Sequence, residues 1–505
     1  MFDGLGLLAT GIGHFLTPLS LFNIVWATLL GIVIGALPGL TATMGVALLV
    51  TLTYKMDPDQ AILCLMCIYS GAIYGGSRTA ILLAIPGTPA SAATTLDGHP
   101  LALQGKAGLA MGLATTSSAL GTIIGIVALA LIAPLLGEAA LRFGTYEFFW
   151  LALFGVVISG QLTAMDDPLK GYIAGILGLL VAMVGMESLH AYQRFTFGMP
   201  ALGGGIDLIP AMVGAFGFAE ILAVMKRSAQ ARIVSSSDRV VPRLGEVLRY
   251  WKTILRSGLI GTFVGIVPGV GEDVGAWASY AAAKRSSKEA KLFGRGSQEG
   301  LIAAETGNSA VVPGAMIPTL TLALPGSAAA AVLIAAMFIH GIRPGPLLMT
   351  ESPQTLYQIV AILLFSTLAI LVFGLTLTKP LLKVLAVPRE RLMAVVYVLC
   401  VVGSFAITQR LFDVYVMVGF GIIGFILREM KYPMAPLVLG IILGDLLDLN
   451  LRRGLLLTNG DPSPFFTRPI SAVICGIIVV TIMMSIPAVS KRVRAVFNRT
   501  KAAQS

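Results

Sequence analysis

The chain has 505 residues, of which 56% are hydrophobic and only 12% are charged, and its net charge is +10. Soluble domains usually carry about a quarter charged residues, so this composition excludes an ordinary soluble protein and predicts a polytopic membrane protein. The positive charge does not require a nucleic-acid partner, because Lys and Arg collect in short polar stretches beside apolar ones, as they do in cytoplasmic loops. We therefore expect a lipid bilayer, and no nucleic acid, around the chain.

Apolar runs long enough to cross a bilayer recur along the chain. A crossing takes about 20 residues, and residues 107–136 and 352–378 exceed this length without a single charge. The sequence therefore predicts an all-α polytopic membrane protein with roughly a dozen membrane segments, some of them incomplete. Basic stretches at 226–256, 284–295 and 491–501 predict cytoplasmic loops and a cytoplasmic C-terminus.

In chain order, the first unusual feature is GALPGLTATMG at residues 35–45, where Pro38-Gly39 interrupts an apolar run. The same pattern returns as GIVPGVGEDVG at residues 265–275, with flanking glycines at matched spacing. A second break follows in each half, at Pro86-Gly87 and at Pro325-Gly326. Two halves with two breaks each are typical of secondary transporters built from inverted repeats with broken helices.

The break at Pro268-Gly269 favours a re-entrant hairpin. Both flanks of residues 257–283 are basic and predicted to be cytoplasmic, and this segment is too short for two crossings of about 20 residues each. Backbone groups freed at such a tip must be satisfied by protein or by a water-filled cavity. Broken helices also direct N–H groups at the carboxylates of an anion and carbonyl groups at a small cation. The alternative is a tight turn between ordinary helices.

These patterns divide the chain into six regions. They are a first transport repeat (17–137), connecting membrane helices (138–225), a basic cytoplasmic loop (226–256), the core of a second transport repeat (257–350), C-terminal membrane helices (351–490) and a basic cytoplasmic tail (491–505).

Eight motifs, in this order, resemble the TctA family, the large membrane subunit of the tripartite tricarboxylate transporters. They run from residue 31 to residue 470, so the resemblance covers nearly the whole chain. The motifs are GALPGLTATMG, IYSGAIYGGSRTAILLAIPGTPASAATTLDGHPLALQGKAG, KGYIAGILGLLVAMVG, RFTFG, GIVPGVGEDVG, ETGNSAVVPGAMIPTLTLALPGS, HGIRPGPLL and PLVLGIILGDLLDLNLRRGLLLTNGDPSPFFTRPI.

The resemblance implies a binding-protein-dependent secondary transporter that imports di- and tricarboxylates such as citrate by symport. The driving force would be a gradient of Na⁺ or H⁺, with no other cofactor. The implied partners are a periplasmic solute-binding protein and a small membrane subunit, both separate chains. The implied location is the bacterial inner membrane, and whether the chain forms a homodimer is left open.

The chain departs from the family pattern at several positions. Ala84 stands where Asn usually precedes the first IPG, Ser309 replaces a second Asn, and Ala323 replaces a Gly. Asp445 and Asp448 replace an expected Pro and Glu. These departures leave open which carboxylate is carried and whether Na⁺ or H⁺ is coupled.

Residues around the breaks are the candidate substrate-binding residues, because hydroxyl groups donate to carboxylates and an arginine can fork onto one. Arg78 lies among glycines that indicate a crowded, backbone-lined site, although an arginine can also snorkel from a helix end to the interface. Each Ser or Thr has a structural alternative, since hydroxyls satisfy freed backbone groups near kinks. The candidates are Pro38, Gly39, Thr41, Thr43, Ser77, Arg78, Thr79, Pro86, Gly87, Thr88, Ser91, Pro268, Gly269, Pro325, Gly326 and Ser327.

Acidic and amide side chains in the second half are the candidates for cation coupling. Adjacent acids such as Glu272 and Asp273 repel each other unless a cation, a proton or water reaches them. Glu305, Asn308 and Ser309 stand at i, i+3 and i+4, so they share one face if this stretch is helical. Asn and Ser oxygens are suitable ligands for Na⁺. The alternatives are solvated acids at a cavity mouth and hydrogen bonds between helices. The candidate coupling residues and Na⁺ ligands are Gly271, Glu272, Asp273, Glu305, Asn308 and Ser309.

Two other classes of function compete with a transporter. A membrane channel for small organic anions is the alternative, but paired breaks favour alternating access over an open pore. An intramembrane enzyme is not expected, because no nucleophile stands in a pattern with a base.

Overall fold

The computed structural model describes residues 2–37, 40–163, 167–187, 189–226, 238–377, 389–406 and 409–485. The chain divides into two compact units, one formed by Met1–Leu141 and Asp207–Ile426 and the other by Arg142–Ile206 and Leu427–Ser505. The strands in the described part are two short antiparallel ones, β1 (Gly185–Met186) and β2 (Gln193–Arg194). The predicted all-α fold is confirmed.

The α-helices are numbered here in chain order. They are α1 (Phe2–His14), α2 (Pro18–Ala36), α3 (Ala42–Thr53), α4 (Pro58–Leu83), α5 (Ser91–Leu101), α6 (Ala107–Ala140), α7 (Thr145–Thr163), α8 (Pro168–Ala182), α9 (Leu208–Met212), α10 (Ala219–Lys226), α11 (Leu244–Leu248), α12 (Trp251–Ile266), α13 (Gly271–Ser286), α14 (Gln298–Leu322), α15 (Ala328–Ile339), α16 (Leu348–Glu351), α17 (Pro353–Thr376), α18 (Arg389–Ala406), α19 (Leu411–Glu429), α20 (Met434–Leu457), α21 (Pro464–Thr467) and α22 (Pro469–Ser485).

Eight helical segments of the described chain are long and apolar enough to cross a membrane, and five shorter apolar helices accompany them. This agrees with a multi-pass membrane protein. The eight segments are Pro18–Ala36, Pro58–Leu83, Ser91–Ala140, Thr145–Thr163, Leu208–Lys226, Pro353–Thr376, Leu411–Glu429 and Met434–Leu457.

The second unit is a bundle in which α20 packs against α7 and α8, and α22 packs against α7. Buried aromatic rings hold one end of it, since Trp150 Nε1 donates to the backbone oxygen of Phe465 at 2.7 Å. Arg468 also pairs with the buried Glu147 at 3.0 Å. This unit contains none of the four Pro-Gly breaks.

In the first unit, helices α12 and α13 form the two arms predicted around Pro268-Gly269. Each has 16 residues, which is about 24 Å at a rise of 1.5 Å per residue. A bilayer core of about 30 Å needs more than that. The helix α12 begins at Trp251, within the stretch predicted to be a loop up to residue 256. The short arms are consistent with a hairpin that does not cross the membrane.

The second break ends its helix in the same way in both halves of the chain. Helix α4 stops at Ala84, with φ of 56°, and α14 stops at Ala323, with φ of 55°. A left-handed conformation is uncommon for a residue with a Cβ atom. At both positions it turns the chain out of the helix two residues before the proline of the Pro-Gly pair.

Corresponding glycines make corresponding contacts in the two halves. A Cβ atom at Gly35 would meet the backbone of Ala72, and one at Gly265 would lie 2.6 Å from the backbone oxygen of Val311. Gly87 likewise lies against the backbone of Gly35, as Gly326 lies against that of Gly265. The helices α2–α5 and α12–α15 therefore repeat one packing arrangement, and we call them the first and second repeats.

The close contacts give a prediction for stability. Gly35→Ala and Gly265→Ala force a methyl group into backbone, so each should lower the free energy of unfolding by about 1–3 kcal/mol. Gly13→Ala is the matched control, because a Cβ there meets nothing within 4 Å. Thermal unfolding of the purified chain measures the difference, and an unchanged melting temperature in both core variants would contradict the packing.

Candidate functional site

The short arms that follow the breaks cross from one repeat to the other. Helix α3 of the first repeat packs against α15 of the second, and α5 packs against α13. All four arms begin at a break, so their N-terminal ends lie in the interior of the first unit. Such ends carry unpaired N–H groups and partial positive charge, which suits an anion.

Two of these four helix starts are capped by a hydroxyl group of the chain. Thr41 Oγ1 accepts the Met44 N–H at 3.2 Å, and Ser327 Oγ accepts the Ala330 N–H at 3.2 Å. Helices α5 and α13 have no side-chain cap. In the described residues, the first N–H groups there bond to backbone oxygens instead: those of Ser91 and Ala92 to Thr88 O and Pro89 O, and that of Gly271 to Gly326 O.

The tip of the second repeat is held by that repeat's own second break. Gly269 and Gly271 both have φ near 75°, a conformation in which a side chain is strained. The Gly269 N–H donates to Pro325 O at 3.0 Å, and the Gly271 N–H donates to Gly326 O at 3.1 Å. Protein thus satisfies backbone groups freed at this tip. Pro38 and Gly39, the tip of the first repeat, lie outside the described residues.

A buried carboxylate joins the two repeats near this tip. Tyr69 of α4 donates its hydroxyl to the Glu272 carboxylate of α13 and lies 2.8 Å from Ser327 Oγ. Tyr69 is fully buried and Glu272 is 8% exposed. No sequence pattern singled out Tyr69, whose position within the apolar stretch CLMCIYSGAIYGG is no different from that of a packing residue.

A second buried carboxylate, that of Glu305, also joins the repeats. Ser77 Oγ lies 2.7 Å from both of its oxygens, and Thr94 of α5 donates to it as well. Glu305 is fully buried, and no Lys, Arg or His among the described residues forms an ion pair with it. A carboxylate whose described partners are all hydroxyls can still bind a proton or a small hard cation.

The other two polar residues of this α14 face differ from each other. Ser309 Oγ lies 2.5 Å from Ser118 Oγ of α6, which is an ordinary hydrogen bond between helices. Asn308 is fully buried, yet its Nδ2 and Oδ1 atoms have no partner among the described residues. A buried amide without partners costs free energy and requires an explanation.

Asp273, the neighbour of Glu272, points across to the first repeat. Its carboxylate interacts with the backbone N–H of Ala90, at the start of α5. Among the described residues, no three His, Cys, Asp or Glu side chains form a cluster that could hold a metal ion. Any Na⁺ ligation would therefore combine single carboxylates with hydroxyl, amide and backbone oxygens.

The remaining hydroxyl candidates of the first repeat bond mainly to nearby backbone. Thr79 Oγ1 donates to Gly76 O at 3.2 Å, and Ser91 Oγ donates to Thr88 O at 2.7 Å. Thr88 Oγ1 is buried without a partner among the described residues. Thr43 is buried one residue into α3. Thr88 is thus the hydroxyl of this group with a free donor.

Arg78 points away from Ser77 and Glu305. Its Nη2 donates to Tyr74 Oη at 2.8 Å and to Gly374 O, in the last turn of α17, at 3.0 Å. Its guanidinium lies 5.3 Å from the centre of the Tyr74 ring. Arg78 is only 2% exposed, and its Nε and Nη1 have no partner among the described residues. The carbonyl end of a helix is a favourable environment for this charge.

The donors around Glu305 yield a second prediction. Ser77→Ala together with Thr94→Val leaves a buried carboxylate without its described donors, which should cost about 1–3 kcal/mol for each group left unsatisfied. Adding Glu305→Leu should recover most of that loss, because an apolar side chain needs no donor. Thermal unfolding of the unmodified chain and of the double and triple variants tests this, and a triple variant no more stable than the double variant would argue against it.

The family described as "Tripartite tricarboxylate transporter TctA family" matches residues 21–439. A protein of Agrobacterium vitis, "Uncharacterized 52.8 kDa protein in TAR-I ttuC' 3'region", is 36% identical over 485 residues, which is 94% of each chain. Another from the same organism, "Uncharacterized protein in TAR-II ttuC' 3'region", is 33% identical over 238 residues, covering 47% of this chain and 98% of its own length. No solved structure matches the chain.

Proposed function

This chain belongs to the tripartite tricarboxylate transporter TctA family, and on that premise we propose that it imports small di- and tricarboxylates by alternating access, driven by a cation gradient. As the large membrane subunit of such a transporter, it would receive substrate from a periplasmic binding protein and work beside a small membrane subunit. The bacterial inner membrane, with the C-terminus in the cytoplasm, is the location that this proposal requires.

The observation that carries the proposal is the pair of buried carboxylates at the contact between the repeats. Glu305 is held by Ser77 and Thr94, and Glu272 by Tyr69. In each case the acid lies on the second repeat and the hydroxyl donors on the first. A cation or proton that neutralises these acids changes the attraction between the repeats, which links its binding to their relative movement.

The same arrangement explains why an anion and a cation would travel together. The partial positive charge at the N-terminal ends of α5 and α13 suits substrate carboxylates. The acids Glu272, Asp273 and Glu305 would repel such a substrate unless a proton or Na⁺ neutralised them. We include Arg78 as a positive charge near the break at Pro86-Gly87 that favours anion entry, with its two groups that lack described partners as donors.

A channel for organic anions is the competing function, and accumulation separates the two. A channel only equilibrates its solute, whereas a symporter concentrates it against a gradient. Proteoliposomes that contain this chain and the small subunit, supplied with a candidate binding protein and labelled citrate or succinate, should accumulate solute when a Na⁺ or H⁺ gradient is imposed. Equilibration without accumulation would favour the channel.

A third prediction tests coupling at Glu305. Glu305→Gln keeps the shape of the side chain but cannot ionise, so gradient-driven accumulation should fall at least about tenfold, the loss expected when about 1.4 kcal/mol of coupling is removed. Glu351→Gln, at an exposed position of α16, is the control and should accumulate substrate normally. If Glu305→Gln accumulates substrate as the unmodified chain does, with the same cation dependence, coupling lies elsewhere.

A further inference from the structure

The contact between the repeats is asymmetric, and the difference lies in one carboxylate. Aligning Pro86-Gly87 with Pro325-Gly326 also aligns Thr88 with Ser327 and, one helix earlier, Tyr69 with Asn308. We call Tyr69, Glu272 and Ser327 the Glu272 half-site. In the register of the first breaks, Glu272 corresponds to Ala42. The equivalent Ala42 half-site, formed by Ala42, Thr88 and Asn308, therefore has no carboxylate of its own.

Packing of α14 on α5 directs Asn308 to this half-site. Gly300 lies against Asp97, and Glu305 accepts from Thr94, so α14 runs antiparallel to α5. One turn beyond Glu305, Asn308 lies opposite the N-terminal end of α5 that follows Thr88. The correspondence with Tyr69 and Ser327 leads to the same placement.

The polar atoms of the Ala42 half-site lack partners that their counterparts possess. Asn308 is 0% exposed and Thr88 is 3% exposed. Asn308 Nδ2, Asn308 Oδ1 and Thr88 Oγ1 have no hydrogen-bond partner among the described residues. Tyr69 and Ser327, by contrast, bond to each other, and Tyr69 also bonds to Glu272. Natural proteins rarely bury several such groups in one place without a ligand.

The side chains of the Ala42 half-site are also smaller than their counterparts. Asn308 is shorter than Tyr69, and Ala42 has no side chain beyond its methyl group. In the second repeat, a bond from Gly271 to Gly326 closes the tip against the break. No corresponding bond joins Thr41 to Gly87 in the part of the chain that the structure describes. The start of α5 also carries the partial positive charge of a helix N-terminus, which favours an anion.

We propose that a carboxylate of the substrate binds at the Ala42 half-site, between Thr88 and Asn308, in the position that the Glu272 carboxylate occupies in the other repeat. The two half-sites then hold equivalent carboxylates. The chain supplies one of them, that of Glu272, and the substrate supplies the other. The Asn308 amide and the Thr88 hydroxyl donate to the bound carboxylate. This assignment rests on the proposed function for the identity of its ligand.

Asp273 then explains how a cation enters the site with the substrate. Its carboxylate interacts with the Ala90 N–H at the start of α5, beside the Ala42 half-site. Two carboxylates there repel each other unless a proton or Na⁺ lies between them. The neighbouring acids Glu272 and Glu305 add to the same negative potential, while the buried Arg78 is directed toward Gly374. Binding of the anion at this half-site therefore raises the affinity for the cation.

The direct test gives the first repeat its own carboxylate. Ala42→Glu places an acid where Glu272 stands in the second repeat, and Ala42→Gln is the matched neutral control. Thermal unfolding of the full chain in detergent is measured with sodium citrate and with sodium chloride at equal sodium concentration. We expect Ala42→Glu to unfold at or above the temperature of the unmodified chain in chloride, and above Ala42→Gln. Citrate should stabilise the unmodified chain and not Ala42→Glu.

A second variant guards against a simple folding defect. Asn308→Leu replaces an unpartnered amide by an apolar side chain of similar size, so it should raise the melting temperature in chloride and abolish the shift that citrate produces. A residue with a purely structural role would lower the melting temperature instead.

The outcomes distinguish an error in the half-site from an error in the substrate class. If Ala42→Glu unfolds below Ala42→Gln, or keeps the full citrate shift, the half-site is wrong even though citrate binding supports the transport function. If Ala42→Glu and Asn308→Leu behave as expected in chloride but citrate does not stabilise the unmodified chain, the half-site stands and the substrate class is wrong.

Discussion

Backbone groups freed where a helix breaks inside a membrane need partners in the protein or in a water-filled cavity, and this constraint governs the structure. Lipid offers no hydrogen bonds. In the second repeat the tip glycines donate to Pro325 and Gly326, so one break satisfies the other. That contact requires close approach, which Gly265 and Gly326 permit because neither carries a side chain. The paired breaks are therefore parts of one packed unit, and their spacing cannot vary independently.

The arms of each repeat pack against those of the other, and this places buried carboxylates at the contact between the repeats. Because α3 packs on α15 and α5 on α13, the acids of the second repeat reach the hydroxyls of the first. Buried carboxylates without a paired cation are expensive, and proteins keep them inside membranes mainly at ion and substrate pathways. Glu272 and Glu305 have this character, and both accept from hydroxyls of the first repeat, which would separate from them if the repeats moved apart.

Composition and motif spacing predicted the helical membrane fold and its breaks, whereas the side-chain contacts depend on tertiary packing. The all-α multi-pass fold followed from charge depletion, and family membership followed from the ordered motifs; both are confirmed. The Pro-Gly pair predicted a break in the helix near Ala84, but it did not predict the left-handed conformation of Ala84. Sequence spacing does not fix how a helix rotates against its neighbours, so the bond of Tyr69 to Glu272 was missed, as was the direction of Arg78 toward α17. Only the neighbouring helices determine those orientations.

The central claim is that the two repeats insert in opposite orientations, and the loops between their arms test it most directly. Lys55 lies between α3 and α4, and Lys288 lies in the equivalent loop between α13 and α14; both are exposed. A single cysteine at each position, in a chain whose four native cysteines are replaced, can be labelled with a membrane-impermeant thiol reagent in intact cells and in inverted vesicles. The account predicts that Lys55→Cys reacts from the periplasmic face and Lys288→Cys from the cytoplasmic face. Labelling of both from one face would contradict it.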